Sequence, residues 1–278
     1  MIVKTVLLNL VILGMIFATA CSWGVFDPLT QPTNIISGEY SFGDWWEGKV
    51  AIESYTDAED NEIFAFWMEK EEGSPVLIYF HGIGGNLGTY ASHIRFLYED
   101  TPFSVFAIDY PASGMSKGNR SEEDLYAAAR GALEWVVDET GLDYEGIVVY
   151  GFSLGAALAI KLGTENPTLP VVIDGGFTSY GDWMPTISHI HFVLPGENKF
   201  DNLAHIKSVE GPKLFIHGTD DRQNPFWMGK ALYEAAEGKK EFVEIEGAGH
   251  MFSPQHVIDN PDPYALIKEE LRNLVKDP

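Results

Sequence analysis

The chain has 278 residues, 45% of them hydrophobic, which is enough for one large α/β domain or two small ones and too apolar for a disordered chain. Lys and Arg total 18 against 41 Asp and Glu, for a formal net charge of −23. That balance argues against nucleic acid as a partner, since phosphate binding needs a basic surface, and disfavours docking on anionic lipid head groups.

The N-terminus reads as an export segment. Lys4 precedes an apolar stretch from Val6 to Phe17, and Ala18-Thr19-Ala20 follow. A basic start, an apolar centre and small residues at the end describe a signal peptide over residues 1–20; the stretch is short for a membrane span. Cys21 comes next and is the one cysteine of the chain, so no intrachain disulfide can form. The arrangement resembles a bacterial lipoprotein signal. That resemblance implies cleavage before Cys21, lipidation of its thiol and a membrane-anchored protein outside the cytoplasm. Ala18 stands where such signals usually carry Leu. The same residues also fit ordinary cleavage to a periplasmic or secreted protein, or an uncleaved anchor. Residues 21–47, rich in Pro, Thr, Gly and aromatics, read as a tether that settles onto a domain over 48–278.

Val50 to Tyr55 and Ile63 to Met68 alternate apolar and polar residues around Asp-Ala-Glu-Asp-Asn, the pattern of an antiparallel hairpin with one wetter face. The pattern then changes. Val76 to Phe80, Ser104 to Ile108, Ile147 to Tyr150, Val171 to Ile173, Lys213 to Ile216 and Phe242 to Ile245 are short apolar runs without alternation. Such runs suit parallel strands buried on both faces. Helical segments fall between them. Ser121 followed by Glu122, Glu123 and Asp124 predicts a capped helix start, with Leu125, Ala128, Ala129, Ala132, Leu133 and Val136 on one side. A last helix is predicted from about Asp262 to Val275. The fold class is therefore α/β: a mostly parallel central sheet with an antiparallel N-terminal hairpin and helices on both faces. Residues 178–210 interrupt the alternation with Trp183, Met184, Ile187, Ile190, Phe192, Val193 and Leu194. They read either as a helix packed on the body or as a small cap over a site, and the two are compatible.

The chemistry centres on Gly151-Phe152-Ser153-Leu154-Gly155, an apolar run that ends in G-x-S-x-G ahead of a small-residue helical pattern. A strand, a sharp turn and a helix would expose the Ser153 hydroxyl at a helix N-terminus, where negative charge is stabilised. A serine needs a base, and His250 is the candidate among eight histidines. It follows the last apolar strand through a loop with two glycines, whereas His81 and His217 each end a strand before a glycine and suit turns. The orienting acid should lie on the loop after the preceding strand, where Asp220 and Asp221 compete. Asp221 fits the spacing His-Gly-x-x-Asp with Pro four residues on; Asp220 suits a turn. An oxyanion needs two convergent backbone N–H groups. Leu154, after the nucleophile, and Ile83, in the loop His81-Gly82-Ile83-Gly84-Gly85-Asn86, are the candidates. That loop lacks the Lys-Ser/Thr of a phosphate cradle, and no His/Glu cluster has metal-ligand spacing. No cofactor is expected.

With serine, acid and histidine in that chain order, residues 48 to 275 resemble the α/β-hydrolase superfamily. Asp109-Tyr110-Pro111-Ala112-Ser113-Gly114-Met115-Ser116 is similar to a stretch after the family's fourth strand, with Ala112 and Ser113 replacing the usual glycine and aromatic. Lys199-Phe200-Asp201-Asn202-Leu203 resembles the monoacylglycerol- and lysophospholipid-lipase-like branch. The resemblance implies a serine hydrolase of carboxylic esters acting through an acyl-enzyme on Ser153, with a small-molecule acyl ester as substrate: a short acyl ester, a monoglyceride or a lysolipid. Rival readings are an aminopeptidase-like or thioesterase activity of the same three residues, and a non-enzymatic binding protein on this fold.

Overall fold

The computed structural model describes residues 46–188, 199–251 and 259–275. The expected signal peptide, Cys21, nearly all of the tether and residues 189–198 of the expected cap lie outside them. No helix among the described residues is long and apolar enough to cross a membrane.

The chain opens with strands β1 (Ala51–Thr56), β2 (Glu62–Met68) and β3 (Val76–Phe80), then α1 (Ala91–Glu99), β4 (Ser104–Ile108) and α2 (Glu122–Thr140). It continues with β5 (Ile147–Phe152), α3 (Leu154–Glu165), β6 (Val171–Asp174), α4 (Tyr180–Ser188) and α5 (Asn202–His205). Then come β7 (Lys213–Gly218), α6 (Phe226–Ala235), β8 (Lys240–Ile245) and α7 (Pro261–Asn273). The strands form one sheet in the order β1-β2-β4-β3-β5-β6-β7-β8. β2 pairs antiparallel with both β1 and β4, and every pairing from β4 to β8 is parallel. This is the expected mixed sheet with an antiparallel start.

Strands β3 to β7 are buried at every residue, which explains their unbroken apolar runs. Side chains of α2, α3 and α6 pack one face, where the Phe106 and Trp135 rings stack 4.3 Å apart. Side chains of α1 and α7 pack the other, together with Trp46, which lies against Phe66. The hairpin's wetness belongs to β1, the edge strand; its Tyr55 hydroxyl donates to the Ala128 carbonyl at 2.6 Å and pins the edge to α2. β8 corrects the expectation of a strand buried on both faces. Val243 and Ile245 are buried, but Glu241 and Glu244 are exposed, because β8 is the sheet's other edge.

Helix α2 starts as its sequence dictates. The Ser121 hydroxyl accepts the Asp124 N–H and the Asp124 carboxylate accepts the Ser121 N–H, a reciprocal capping box. Asp124 also accepts from Asn61 Nδ2, which ties the helix start to the hairpin loop. In the cap segment, Trp183 is buried and stacks on Phe177 at 4.8 Å, so this part of α4 is packed on the body. Its Thr186 hydroxyl donates to the Gln223 carbonyl at 2.6 Å.

Two backbone features below the C-terminal ends of the strands set the site. At the turn from β5 to α3 the chain passes close to β3. A Cβ added to Gly155 would lie 2.1 Å from the Phe80 carbonyl oxygen, and one on Gly151 would lie 2.1 Å from the Gly155 oxygen. Only glycine permits that approach. At the end of β6, the Asp174 carboxyl turns to the α1 face, where it accepts from the Tyr150 hydroxyl at 2.6 Å. Tyr150 in turn lies 3.3 Å from His93 Nε2, and Tyr79 lies 3.1 Å from His93 Nδ1. With Tyr150 donating to Asp174, the consistent chain runs Tyr79 O–H to His93 Nδ1, His93 Nε2–H to Tyr150, and Tyr150 O–H to Asp174. Burial lowers the His93 pKa to about 4, keeping it neutral, and raises that of Asp174 to about 7.

Gly155→Ala should destabilise the fold by about 3 kcal/mol or more, since its methyl meets backbone that cannot rotate away. Urea unfolding checks this, and a loss below about 1 kcal/mol would mean the elbow relaxes. Asp174 predicts a pH dependence. Its folded pKa, about 7, lies above the ordinary aspartate value of about 3.9. The folded state therefore holds a proton that the unfolded chain has released, and stability falls as pH rises between those values. Asp174→Asn keeps an acceptor for Tyr150 and removes the ionisation. Its stability relative to wild type should rise from about pH 4 to about pH 7; a constant difference between urea midpoints across that range would contradict the assignment.

Candidate active site

Ser153 occupies a backbone conformation that residues with a Cβ rarely adopt, φ 54° and ψ −112°. Such strain costs about 1–3 kcal/mol and persists only where surrounding contacts impose it. Here the Ser153 N–H donates to the Asp174 carbonyl at 2.8 Å, and the Ala156 N–H donates to the Ser153 carbonyl at 3.0 Å. The first ties the turn to β6; the second starts α3. The hydroxyl is thereby lifted off the end of β5 at a helix N-terminus.

His250 arrives from the loop after β8 and meets Ser153. Its Nε2 lies 2.9 Å from Ser153 Oγ and its Nδ1 lies 2.7 Å from Asp221 Oδ2. The Nδ1–H donates to the carboxylate, leaving the Nε2 lone pair for the serine proton. The imidazole packs against the Phe152 ring at 5.0 Å, and Gly175, at a left-handed φ of 56°, lies beneath it. Asp221 Oδ1 accepts the backbone N–H groups of Gln223 and Asn224, both at 2.9 Å. Burial works against its ionisation. Hydrogen bonds from His217 and His250 and the Asn224 N–H outweigh burial and hold the carboxyl well below the ordinary carboxylate range. Asp221 is thus an anion wherever the protein is folded near neutrality. Asp220 is exposed, and its N–H donates to the Ala248 carbonyl. The structure therefore brings Ser153, His250 and Asp221 into one Ser-His-Asp relay and leaves Asp220 out of it.

The loop after β3 is pinned peptide by peptide. The Tyr110 hydroxyl donates to the His81 carbonyl at 2.5 Å, and His81 Nδ1 donates to the Gly82 carbonyl at 2.7 Å. The Gly82 N–H bonds the Tyr90 hydroxyl, Arg120 donates to the Ile83 carbonyl at 3.0 Å, and the Leu87 N–H donates to Asp109 at 2.9 Å. Among the described residues the Ile83 N–H has no acceptor. The Leu154 N–H opens α3, where the first amides of a helix lack internal partners. His81 itself is clasped between the Tyr90 and Tyr110 rings, and the wall beside it is aromatic. Among the described residues no group of three or more His, Cys, Asp or Glu side chains is placed to hold a metal ion.

Several residues of this arrangement carry no local sequence signal. His217, read as a turn former, also lies 3.4 Å from Asp221. Asn224, fully buried, donates from Nδ2 to the Gly175 carbonyl at 2.5 Å and so fastens the acid loop to the end of β6. Arg120, Tyr90, His93 and Asp174 are further contributors. Ala112, in the place of the expected glycine, takes a left-handed φ of 58°.

The alpha/beta hydrolase fold family matches residues 75–192. The chain is 30% identical over 205 residues to alpha/beta hydrolase domain-containing protein aho-3 of Caenorhabditis elegans, a match covering 72% of this chain and 57% of that protein. It is 28% identical over 200 residues to the human alpha/beta hydrolase domain-containing protein 17C, covering 69% of this chain and 58% of that one. The chain thus spans less than two thirds of these curated relatives. The Pyrococcus furiosus esterase Pf2001 superposes with a TM-score of 0.65 at 20% identity, covering 86% of this chain and 99% of that one, a likeness of fold. A family match across the elbow, a shared sheet and a Ser-His-Asp relay on a strand–turn–helix converge on one conclusion: the chain has the α/β-hydrolase fold, with residues 75–192 matching the alpha/beta hydrolase fold family.

Proposed function

We propose that this protein is a serine hydrolase that cleaves carboxylic esters through an acyl-enzyme on Ser153. One observation carries the reading: the unbroken relay from Ser153 Oγ through His250 to a buried, ionised Asp221, set on a strained elbow beside two backbone donors. The name esterase borne by the Pyrococcus protein of the same fold accords with it.

The geometry assigns each group a task. Ser153 gives its proton to His250 Nε2 as Oγ attacks the acyl carbon. The N–H groups of Ile83 and Leu154 take the oxyanion. Asp221 stays ionised and stabilises the imidazolium. His250 then returns the proton to the leaving alcohol, and a water activated by the same imidazole releases the acid. The substrate is a small acyl ester; the Phe152 and Tyr90 rings give the site an apolar wall for its acyl part.

The N-terminal segment supports export and anchoring through Cys21. With 18 basic against 41 acidic residues the surface offers anionic lipid little attraction, so attachment would rest on the lipid chains themselves.

Ser153→Ala should abolish hydrolysis of p-nitrophenyl acetate with the melting temperature kept; residual wild-type turnover would overturn the mechanism. Asp221→Asn should lower kcat by on the order of 10⁴-fold, because the imidazole loses its tautomer and its counter-charge, while Asp220→Asn should leave it within about twofold. The reverse ranking would reassign the acid. For the anchor, mass spectrometry of the full chain expressed in a bacterial host should find the mature N-terminus at a lipid-modified Cys21; an unmodified Cys21 or a different cleavage point would exclude lipidation.

A further inference from the structure

Arg120 is a buried charge that the mechanism above leaves unused. It lies in the loop ahead of α2 and is 6% exposed. One terminal nitrogen donates to Ser113 Oγ and the other to the Ile83 carbonyl, both at 3.0 Å. Its Nε is buried with no hydrogen-bond partner among the described residues. The guanidinium carbon stands 5.9 Å from the Tyr110 ring centroid. The arginine ion pairs of the described residues belong to Arg95 and Arg130; none belongs to Arg120. Burial draws its pKa down and the Tyr110, Asp109 and Tyr90 groups draw it back, and a guanidinium stays protonated in a protein. A buried cation without a bonded counter-ion is costly to keep, so its placement calls for a reason.

The reason lies in what it holds. Ile83 sits between two peptide planes. The preceding plane, whose N–H faces no described acceptor, is fixed at its carbonyl by His81. The following plane leads into Gly84, which is exposed, and Gly85, a left-handed glycine at φ 91°. Two glycines in succession leave that plane free to rotate unless something grips it. The grip is the Arg120 bond to the Ile83 carbonyl, and Ser113 steadies the other arm of the fork.

We propose that Arg120 is a positioning residue for the oxyanion site: through the Ile83 carbonyl it locks the peptide plane that follows Ile83, and so holds in place the residue whose N–H, on the plane that His81 fixes, faces the reacting oxygen. The role rests on the ester-hydrolase reading. It acts on the transition state and on tetrahedral adducts more than on the bound ester, whose carbonyl carries little charge.

Kinetics of the full chain with p-nitrophenyl acetate, paired with inhibition by phenylboronic acid, test it; the boronic acid forms a tetrahedral, negatively charged adduct on a nucleophilic serine. Arg120→Met should lower kcat about tenfold, less than the 10²–10³-fold lost with an oxyanion donor itself, with KM within about twofold and boronate affinity reduced in step with kcat. Arg120→Lys should fall between Met and wild type, and Ser113→Ala, which frees one arm of the fork but keeps the charge, should lose about two- to threefold in kcat. Wild-type kcat and boronate affinity in a folded Arg120→Met would overturn the proposal, as would a loss confined to KM. If Arg120→Met does not fold, unchanged kcat in both Arg120→Lys and Ser113→Ala overturns it. A wild-type protein that does not hydrolyse the ester overturns the hydrolase reading and this one together. An active wild type with insensitive variants overturns this one alone.

Discussion

The site depends on one backbone turn held where it would not rest by itself. Ser153 at φ 54° is unfavourable for any residue with a side chain. Were the turn to relax, α3 would begin elsewhere and the hydroxyl would leave His250 Nε2. Sterics and hydrogen bonding together prevent this. Gly151 and Gly155 let the elbow press against Phe80 on β3. The bond from Ser153 N–H to Asp174 ties the turn to β6. The strain is thus borne by the middle of the sheet, the part with the most burial to oppose it.

The end of β6 is the junction through which the three chemical residues meet. Ser153 and His250 stand 97 positions apart, and His250 and Asp221 stand 29 apart. Asp174 and Gly175 touch all of them, directly or through one partner. The Asp174 carbonyl holds the elbow, Gly175 gives the imidazole its floor, and the Gly175 carbonyl receives Asn224, whose N–H supports Asp221. On the opposite face the Asp174 side chain closes the run of bonds from Tyr79 through His93 and Tyr150. A buried polar chain of this kind is stiff only while every member is satisfied. That makes it suited to hold a backbone turn whose displacement by a fraction of an ångström would break the relay.

What was legible in the sequence was local. The elbow, the capping box at Ser121 and the apolar runs of β3 to β7 each have causes that lie within a few residues. The His250 assignment needed only strand order along the chain, and the preference for Asp221 over Asp220 needed only spacing. Burial supplies the physical reason for that preference: Asp221 faces inward with its carboxylate fully subscribed, and Asp220 faces solvent. The partners that prepare the site were not legible, because they act across the chain. Arg120 reaches Ile83 over 37 positions, His93 reaches Tyr150 over 57, and Asn224 reaches Gly175 over 49. β8 misled for a similar reason, since which strand ends at an edge follows from the order of pairing and not from its own residues.

The proposed reaction separates charge, and the arrangement supplies an opposite charge on each side before it begins. When Ser153 gives up its proton, a cation forms on His250 and an anion forms on the substrate oxygen. The cation forms against Asp221, whose carboxylate is held ionised by donors already in place. The anion forms against the first amides of α3 and the Ile83 peptide, with Arg120 behind it. The two groups come from different loops: Asp221 after β7, Arg120 before α2. Solvent, by contrast, would have to reorient its dipoles as the charges appear. A protein whose surface carries a net charge of −23 would ordinarily oppose a new anion. The local answer is geometric: the Arg120 guanidinium, buried with its fork on Ser113 and the Ile83 carbonyl, holds the loop that carries the proposed donor.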